Sequence, residues 1–476
     1  MSAPSLQQTF ATLPGILHAR AELVPVAQPR LAIGNDALAN ELGIDRGWLH
    51  SEGAAQLLAG NLAAAHNEPL AMAYAGHQFG GFNPTLGDGR AMLLGDIQLA
   101  DGTRRELHLK GTGRTAYSRG ADGRATLSAM LREYIISEAM YGLGLPSTRS
   151  LAVVETGERV WRQRPEHGAV LTRVAKSHVR VGTFQYLAAR GETEALRALV
   201  AHEMARHMQG VEGVAAFLNE VIARQAGLIA GWMSFGFIHG VMNTDNMQIA
   251  GETIDYGPCA FMDGFDPQKV FSSIDEHGRY AYDKQQMIAL WNLTRLAECL
   301  LPLLADERDA AIKCAEDSLQ RFMPQFEAEF ERRMLAKLGI ADLAQAGFIT
   351  ETLQQMANAR ADFTQFFTAL TRHVAGREVN LSSFFTSELV MTKWLAEWGN
   401  VRDKDAQALM NAHNPIYIAR NHRVEAALTA AGEGNSLPMR ELLLAVQKPF
   451  EERPDLAALE AAPGAQEEVL QTFCGT

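Results

Sequence analysis

Apolar and polar positions alternate over much of the first third of the chain and then give way to helical spacing. Residues 1–60 mix short apolar pieces with Pro14, Pro25 and Pro29, and a helix is expected over Asn35–Leu42. From Met72 onward, strand-like runs are separated by Gly-Asp and Asp-Gly turn signals. Asp101-Gly102 predicts a hairpin between Ala91–Leu99 and Arg104–Lys110. In its second strand Leu107 and Leu109 share one face and His108 and Lys110 the other, so Lys110 can face a cleft. Leu127, Met130, Leu131, Tyr134 and Ile135 then recur at helical spacing within 126–142, and the helix closes at Gly142.

After Pro146 three more strand-like pieces are expected, Leu151–Val154, Arg159–Trp161 and Ala169–Ala175. From about Glu192 the pattern turns helical, and Leu218, Val221, Ile222, Ile229 and Trp232 form an apolar stripe leading to His239. Met247–Ile249 and Thr253–Ile254, around Ala250-Gly251, suggest a tight hairpin. Helical spacing resumes at Met287, Leu290 and Trp291 and continues to the C-terminus. The fold class this implies is α+β, a β-rich part followed by a larger helical one. There is no internal repeat and no low-complexity tract.

Composition sharpens the picture. The 476 residues are 47% hydrophobic, enough for a large core in two or more units. A formal charge of −12 argues against a nucleic-acid-binding face over the whole molecule. Residues 101–190 nevertheless hold fifteen Lys/Arg against eight Asp/Glu, which suits an anion pocket or a solvated basic face. Cys259, Cys299, Cys314 and Cys474 show no metal-ligand spacing and read as reduced thiols. No basic-then-apolar leader opens the chain and no run of about eighteen apolar residues interrupts it, so the expected location is the cytoplasm, without a membrane partner.

The candidate chemistry centres on His239–Gly257, HGVMNTDNMQIAGETIDYG. Asn246 and, nine positions on, Asp255 offer two hard oxygen ligands of the kind Mg²⁺ favours. The spacing resembles the catalytic loop and metal-binding Asp of protein kinases, but the place of the kinase catalytic Asp is held by Val241. Asp245, beside Asn246, is either a turn residue or the nearest replacement base. His239 is expected to brace the loop.

Upstream, Gly80-Gly81 and Gly87-Asp88-Gly89-Arg90 can be plain turns or a backbone cradle for phosphate. Lys110 precedes a helical carboxylate, Glu133 or Glu138, which could hold it as kinases hold their nucleotide lysine. Periodicity places Glu138 nearer the apolar stripe. Asp122-Gly123 lies in a Gly- and Arg-rich connection, and Arg173 and Arg180 flank Lys176 with guanidinium groups suited to phosphate or to surface acids.

The order Gly-rich turn, strand Lys, helix Glu, HGVMNTDN and IDYGP resembles the selenoprotein O family of kinase-like protein adenylyltransferases, from about His77 through NPIYIARN at Asn414–Asn421. The resemblance implies a kinase-like fold with an N-terminal extension (1–60), a small β-rich lobe (61–185) and a helical lobe (186–476). It further implies ATP bound in reversed orientation and transfer of AMP to Ser, Thr or Tyr hydroxyls of proteins. On that basis Gly87, Gly89 and Arg90 would contact nucleotide, Lys110 would contact phosphate braced by Glu133, and Asp122, Gly123, Arg173 and Arg180 would complete the pocket. Asn246 and Asp255 would hold Mg²⁺ or Mn²⁺, and Asp245 would accept the proton. Some members end in Cys followed closely by selenocysteine, whereas Cys474 has no such neighbour. UMP transfer from UTP with Mn²⁺, a conventional kinase and a nucleotide-binding scaffold are the competing readings, and a monomer is expected.

Overall fold

Alternation of the kind seen in Arg104–Lys110 buries one side of a strand and leaves the other for a second layer, and here both sides are covered. The computed structural model describes residues 3–64 and 67–473; the expectation for Cys474 lies outside them. The strands are β1 (His18–Arg20), β2 (Arg30–Gly34), β3 (Leu70–Met72), β4 (Gly76–Gln78), β5 (Gly81–Asn83), β6 (Ala91–Gln98), β7 (Arg104–Lys110), β8 (Arg149–Trp161), β9 (Pro165–Ala175), β10 (Phe237–Ile238) and β11 (Ala260–Phe261). Seven of them form one antiparallel sheet in the order β1-β3-β6-β7-β9-β8-β2. β4 with β5, and β10 with β11, make two small ribbons.

The β6–β7 hairpin turns at Asp101-Gly102, where Gly102 has φ of 84° and Asp101 accepts from the Thr103 N–H. Leu107 and Leu109 are fully buried with Leu38, Leu49 and Leu58 of the short helices Asp36–Glu41, Arg46–Leu49 and Glu52–Leu58. On the opposite face lies helix Leu127–Gly142, capped by Thr126 and packed against β8 and β9. Leu151–Val154 and Arg159–Trp161, expected as separate strands, belong to one strand, β8. Gly157 at φ of 73° takes up a register shift there, and pairing to β9 resumes beyond it.

Helices begin at Val181–Ala188, earlier than the expected Glu192, and continue through Thr193–His207 and Val214–Ser234. The stripe predicted on the last of these is fully buried: Leu218, Val221, Ile222, Ile229 and Trp232. Nine further helices follow from Gln285 to Val446. The first, Gln285–Leu304, lies within a segment long and apolar enough to cross a membrane by length and composition. It carries Arg295 and Glu298 and buries Leu293, Leu296 and Leu300 against neighbouring helices.

The hairpin expected over 247–254 is reduced to one antiparallel bridge, Met247 with Thr253. The backbone groups that would have closed it are taken by distant chain. Ile249 N–H donates to Val179 O, Gln248 bridges Arg180, and Thr253 exchanges hydrogen bonds with Pro146 and Thr148. Ahead of the bridge, Thr244–Asn246 form a single 3₁₀ turn.

Candidate active site

Lys110 ends β7 on the face turned toward helix Leu127–Gly142, and this is enough to bring it to Glu133. Its Nζ donates to Glu133 Oε1 and, at 2.6 Å, to Asp255 Oδ1. Arg173, directly opposite His108 in the β7–β9 register, donates from Nη2 and Nε to Glu133 Oε2 at 2.8 and 3.2 Å and also reaches Asp255 Oδ1. Two cations and two carboxylates thus form one closed group, buried except at Asp255, whose side chain is 22% exposed. Burial alone would raise the Asp255 pKa, but Arg173, Lys110 and Arg180 outweigh it and hold that carboxyl well below the usual range. Arg173 and then Lys110 hold Glu133 below its ordinary value against the same burial. Glu138, the rival, points elsewhere: it accepts from Arg149 Nε at 2.7 Å and Nη2 at 2.8 Å, and from Asn35 at 2.8 Å.

Asp255 stands at φ of 65°, a left-handed backbone that Asp tolerates better than most side chains. Tyr256 after it is fully buried and hydrogen-bonds Ser147 through its hydroxyl. His239 braces this segment as a neutral imidazole. Its Nε2 faces Ile254 O at 2.9 Å, Nδ1 accepts from Val241 N–H at 3.4 Å, the ring stacks on Trp232, and burial lowers its pKa. Asn246 Nδ2 donates to Val241 O at 2.9 Å, which commits the amide nitrogen and leaves Oδ1 as the acceptor end.

Asp245 is buried beside Asn246. Oδ2 accepts from Gln78 Nε2 at 3.2 Å, whereas Oδ1 is buried with no hydrogen-bond partner. Burial pushes this carboxyl up to about 6, with the nearby Arg180 pulling the other way. Gly76 makes the approach possible, since a Cβ there would lie 2.5 Å from Asp245 Oδ1. Arg180 lies over the Tyr74 ring at 4.3 Å, donates to Asp245 O at 3.2 Å and sits 3.8 Å from Asp88 Oδ1.

The glycine turn is packed against a second loop. A Cβ on Gly87, whose φ is 66°, would overlap the Tyr117 ring, and one on Gly89 would lie 2.9 Å from Tyr117 O. Arg90 is half-buried, and its charge is felt at Lys110. Asp122 is not joined to the central group: it pairs with Arg162 at 2.9 Å and has a half-exposed side chain. Gly123, at φ of 69°, lies against Gly113 O.

Three residues to which the motifs assigned no role, Gln78, Asp88 and His108, also belong to this region. Gln78 is the side-chain donor to Asp245. Asp88, between the two glycines, accepts from Met72 N–H and meets His108 Nε2, both at 3.0 Å. The face shared by His108 and Lys110 was legible from alternation, and Asp88 lay inside the glycine motif. Gln78 had no local signal.

A family model described as protein adenylyltransferase SelO matches residues 8–447. The chain belongs to that family. A protein nucleotidyltransferase YdiU from Bradyrhizobium sp. strain BTAi1 is 50% identical over 489 residues, covering 99% of each chain. One from Rhodopseudomonas palustris strain BisB5 is 52% identical over 485 residues, covering 98% of each. One from Jannaschia sp. strain CCS1 is 49% identical over 476 residues. As a SelO-family member the chain is a nucleotidyltransferase. Among the described residues no three His, Cys, Asp or Glu side chains gather as a metal site. The two motif residues offer one amide oxygen, at Asn246, and one carboxylate, at Asp255. The bonds from Lys110 and Arg173 to Asp255 both fall on Oδ1, and Oδ2 carries neither. Oxygen donors of these two types suit a hard divalent cation that shares its coordination with phosphate and water.

Proposed function

We propose that this protein transfers AMP from ATP to Ser, Thr or Tyr hydroxyls of other proteins and releases pyrophosphate. The reading includes a kinase-like arrangement, with 61–185 as the β-rich lobe, 186–476 as the helical lobe and 1–60 as an N-terminal extension. The observation that carries it is the pairing of an apolar Val241 with a buried Asp245 that has one oxygen without a partner. A γ-phosphoryl transfer of the kinase type needs a carboxylate at the Val241 position, and none is there.

In this reading Lys110, Arg173 and Arg180, with Gly87, Gly89, Arg90, Asp122 and Gly123, bind the nucleotide so that its α-phosphorus faces Asp245. Glu133 fixes Lys110 so that the ammonium need not reorganise as the leaving group departs. Asn246 and Asp255 would hold Mg²⁺ or Mn²⁺, which supplies positive charge to the phosphate oxygens. The acceptor oxygen bonds to the α-phosphorus as the bridging P–O bond to the β-phosphate breaks. Asp245 takes the hydroxyl proton, a contribution of about 10²–10⁴-fold for general-base help.

Incubation of wild-type protein with ATP labelled at the α- or the γ-phosphate tests this. Retention of α-label on the acceptor, with a mass gain of one AMP, is expected; γ-label on the acceptor would refute it. UTP is the second nucleotide to run in parallel, with Mg²⁺ and with Mn²⁺, because the relatives are named for nucleotidyl rather than adenylyl transfer.

A further inference from the structure

Glu133 serves Lys110 only while helix Leu127–Gly142 stays against the sheet, and the residue beside it is tied to a different part of the molecule. Arg132 is buried and each of its three guanidinium nitrogens donates a hydrogen bond. Nε donates to Gly257 O at 2.9 Å, Nη2 to Cys259 O at 2.7 Å, and Nη1 to Glu425 Oε1 at 3.0 Å. Gly257 lies two residues beyond Asp255. Two neighbouring side chains therefore grip the nucleotide site from both sides, Glu133 through Lys110 and Arg173, Arg132 through the segment that carries Asp255.

The third arm comes from the C-terminal helices. Glu425 lies on helix Asn421–Gly432, which packs on helix Leu127–Gly142, as does Leu437–Val446. The former is anchored at its start by fully buried Arg420, which donates to Asp362 at 2.9 and 3.1 Å and to Asp263. Asp263 belongs to the same stretch of chain as Gly257 and Cys259. The latter helix pins the far end, since a Cβ on Gly142 would lie 2.2 Å from Val446 O.

We infer that Arg132 is a positioning residue, and that with Glu425 it makes the C-terminal helices a built-in clamp holding Glu133 and Asp255 in nucleotide-binding register. This rests on the nucleotide site proposed above. Without the Arg132 fork, the half-buried Gly257 carbonyl and the buried Cys259 carbonyl lose these donors, and the helix is free to separate from the Asp255 segment. The nucleotide must then assemble the site itself. Apparent affinity falls by the fraction of molecules already assembled, while the saturated enzyme stays competent.

The test uses the full-length protein with Arg132→Met, which keeps the aliphatic stem, and Glu425→Gln, a milder change at a half-exposed side chain. With α-labelled ATP, KM should rise about tenfold or more for Arg132→Met and about threefold for Glu425→Gln. In both variants kcat should stay within about threefold. Hydrogen exchange should quicken in residues 257–263 and along 127–142. A lesion that merely lowers the folded fraction would depress kcat and leave KM alone, and that result overturns the clamp. Should Arg132→Met fail to fold, Glu425→Gln decides by the same split. Lys110→Met run beside them separates the two ideas. Loss of transfer there with unchanged KM in Arg132→Met and Glu425→Gln removes the clamp only, whereas wild-type activity in Lys110→Met removes the nucleotide site itself.

Discussion

Glu133→Gln and Glu138→Gln make a paired test, because both carboxylates are buried on one helix and neutralising either breaks a comparable set of bonds. Glu133 accepts from Lys110 and twice from Arg173. Glu138 accepts twice from Arg149, and also from Asn35 and from the Ser150 N–H. Breaking a buried pair by removing one charge costs about 3–5 kcal/mol. Glu138→Gln should lie within that range. Its Arg149 keeps one carboxylate, the half-exposed Glu41 at 3.5 Å, and the face of the Tyr141 ring. Glu133→Gln should lose less, about 2–4 kcal/mol, because Asp255 remains as a second anion for Lys110 and Arg173.

Activity should run the other way. Glu133→Gln removes a charge-assisted bond that fixes Lys110, worth about 1.5–3 kcal/mol, so kcat/KM should fall about tenfold to a hundredfold. Glu138→Gln, whose partners lie away from Lys110, should keep kcat/KM within about threefold of wild type while it remains folded. Urea unfolding at 25 °C gives the first order and transfer from α-labelled ATP, measured where both variants are fully folded, gives the second. If Glu138→Gln slows transfer as much as Glu133→Gln, or Glu133→Gln is silent, the ion-pair geometry does not govern the nucleotide site.

Three further outcomes are expected. Asp255→Asn, which keeps a side chain that tolerates φ of 65°, should abolish transfer yet remain folded by circular dichroism, and near-normal turnover would remove Asp255 from the metal-holding role. Because burial raises the Asp245 pKa to about 6 and a base acts when ionised, kcat/KM should be full above about pH 7 and fall as pH drops through 6. Asp245→Asn should be slow at every pH while still binding ATP, and an unchanged acid limb in that variant would assign the limb elsewhere. Lys337 is buried over Phe235, Phe363 and Phe367, with His413 O at 3.3 Å, and burial lowers its pKa to about 7. The unfolded chain then holds the extra proton between pH 7 and 10.5, so wild-type stability should rise with pH across that window. Lys337→Met should flatten the slope and gain about 2–4 kcal/mol at pH 7 by urea unfolding, and a loss there would show that the cation is favourably held.

What could be read from the sequence was what is decided locally. The β6–β7 hairpin was legible because Asp101-Gly102 fixes the turn and Leu107 and Leu109 fix the faces. Thr126 and Gly142 bounded the helix between them for the same reason. Strand β8 is not legible as one strand because Thr156-Gly157-Glu158 has turn composition, whereas cross-strand pairing to β9 carries the chain through it as a bulge. The 247–254 hairpin failed for the opposite reason, since its backbone partners at Pro146, Thr148 and Val179 are invisible at that range. Choosing Glu133 over Glu138 also lay beyond periodicity. Helix Leu127–Gly142 is buried nearly all round, so it has no solvent stripe from which to set the inward face.

Val241 shows why the motif kept its shape after losing its carboxylate. The neighbours that matter use its backbone: its N–H goes to His239 Nδ1 and its carbonyl receives Asn246 Nδ2. A side chain at 241 is therefore not needed to orient Asn246 or to seat His239 against Ile254 O, and an apolar one is well accommodated in a buried place. A carboxylate is found instead four residues on, at Asp245. There the ribbon β4–β5 supplies Gln78 as donor to one oxygen and Gly76 as clearance for the other. In the function proposed above, a base at Asp245 in place of one at 241 would serve a different phosphorus, with Asn246 and Asp255 keeping their places in the motif. The spacing of His239, Asn246 and Asp255 thus resembles a kinase's even though the residue that would define one is gone.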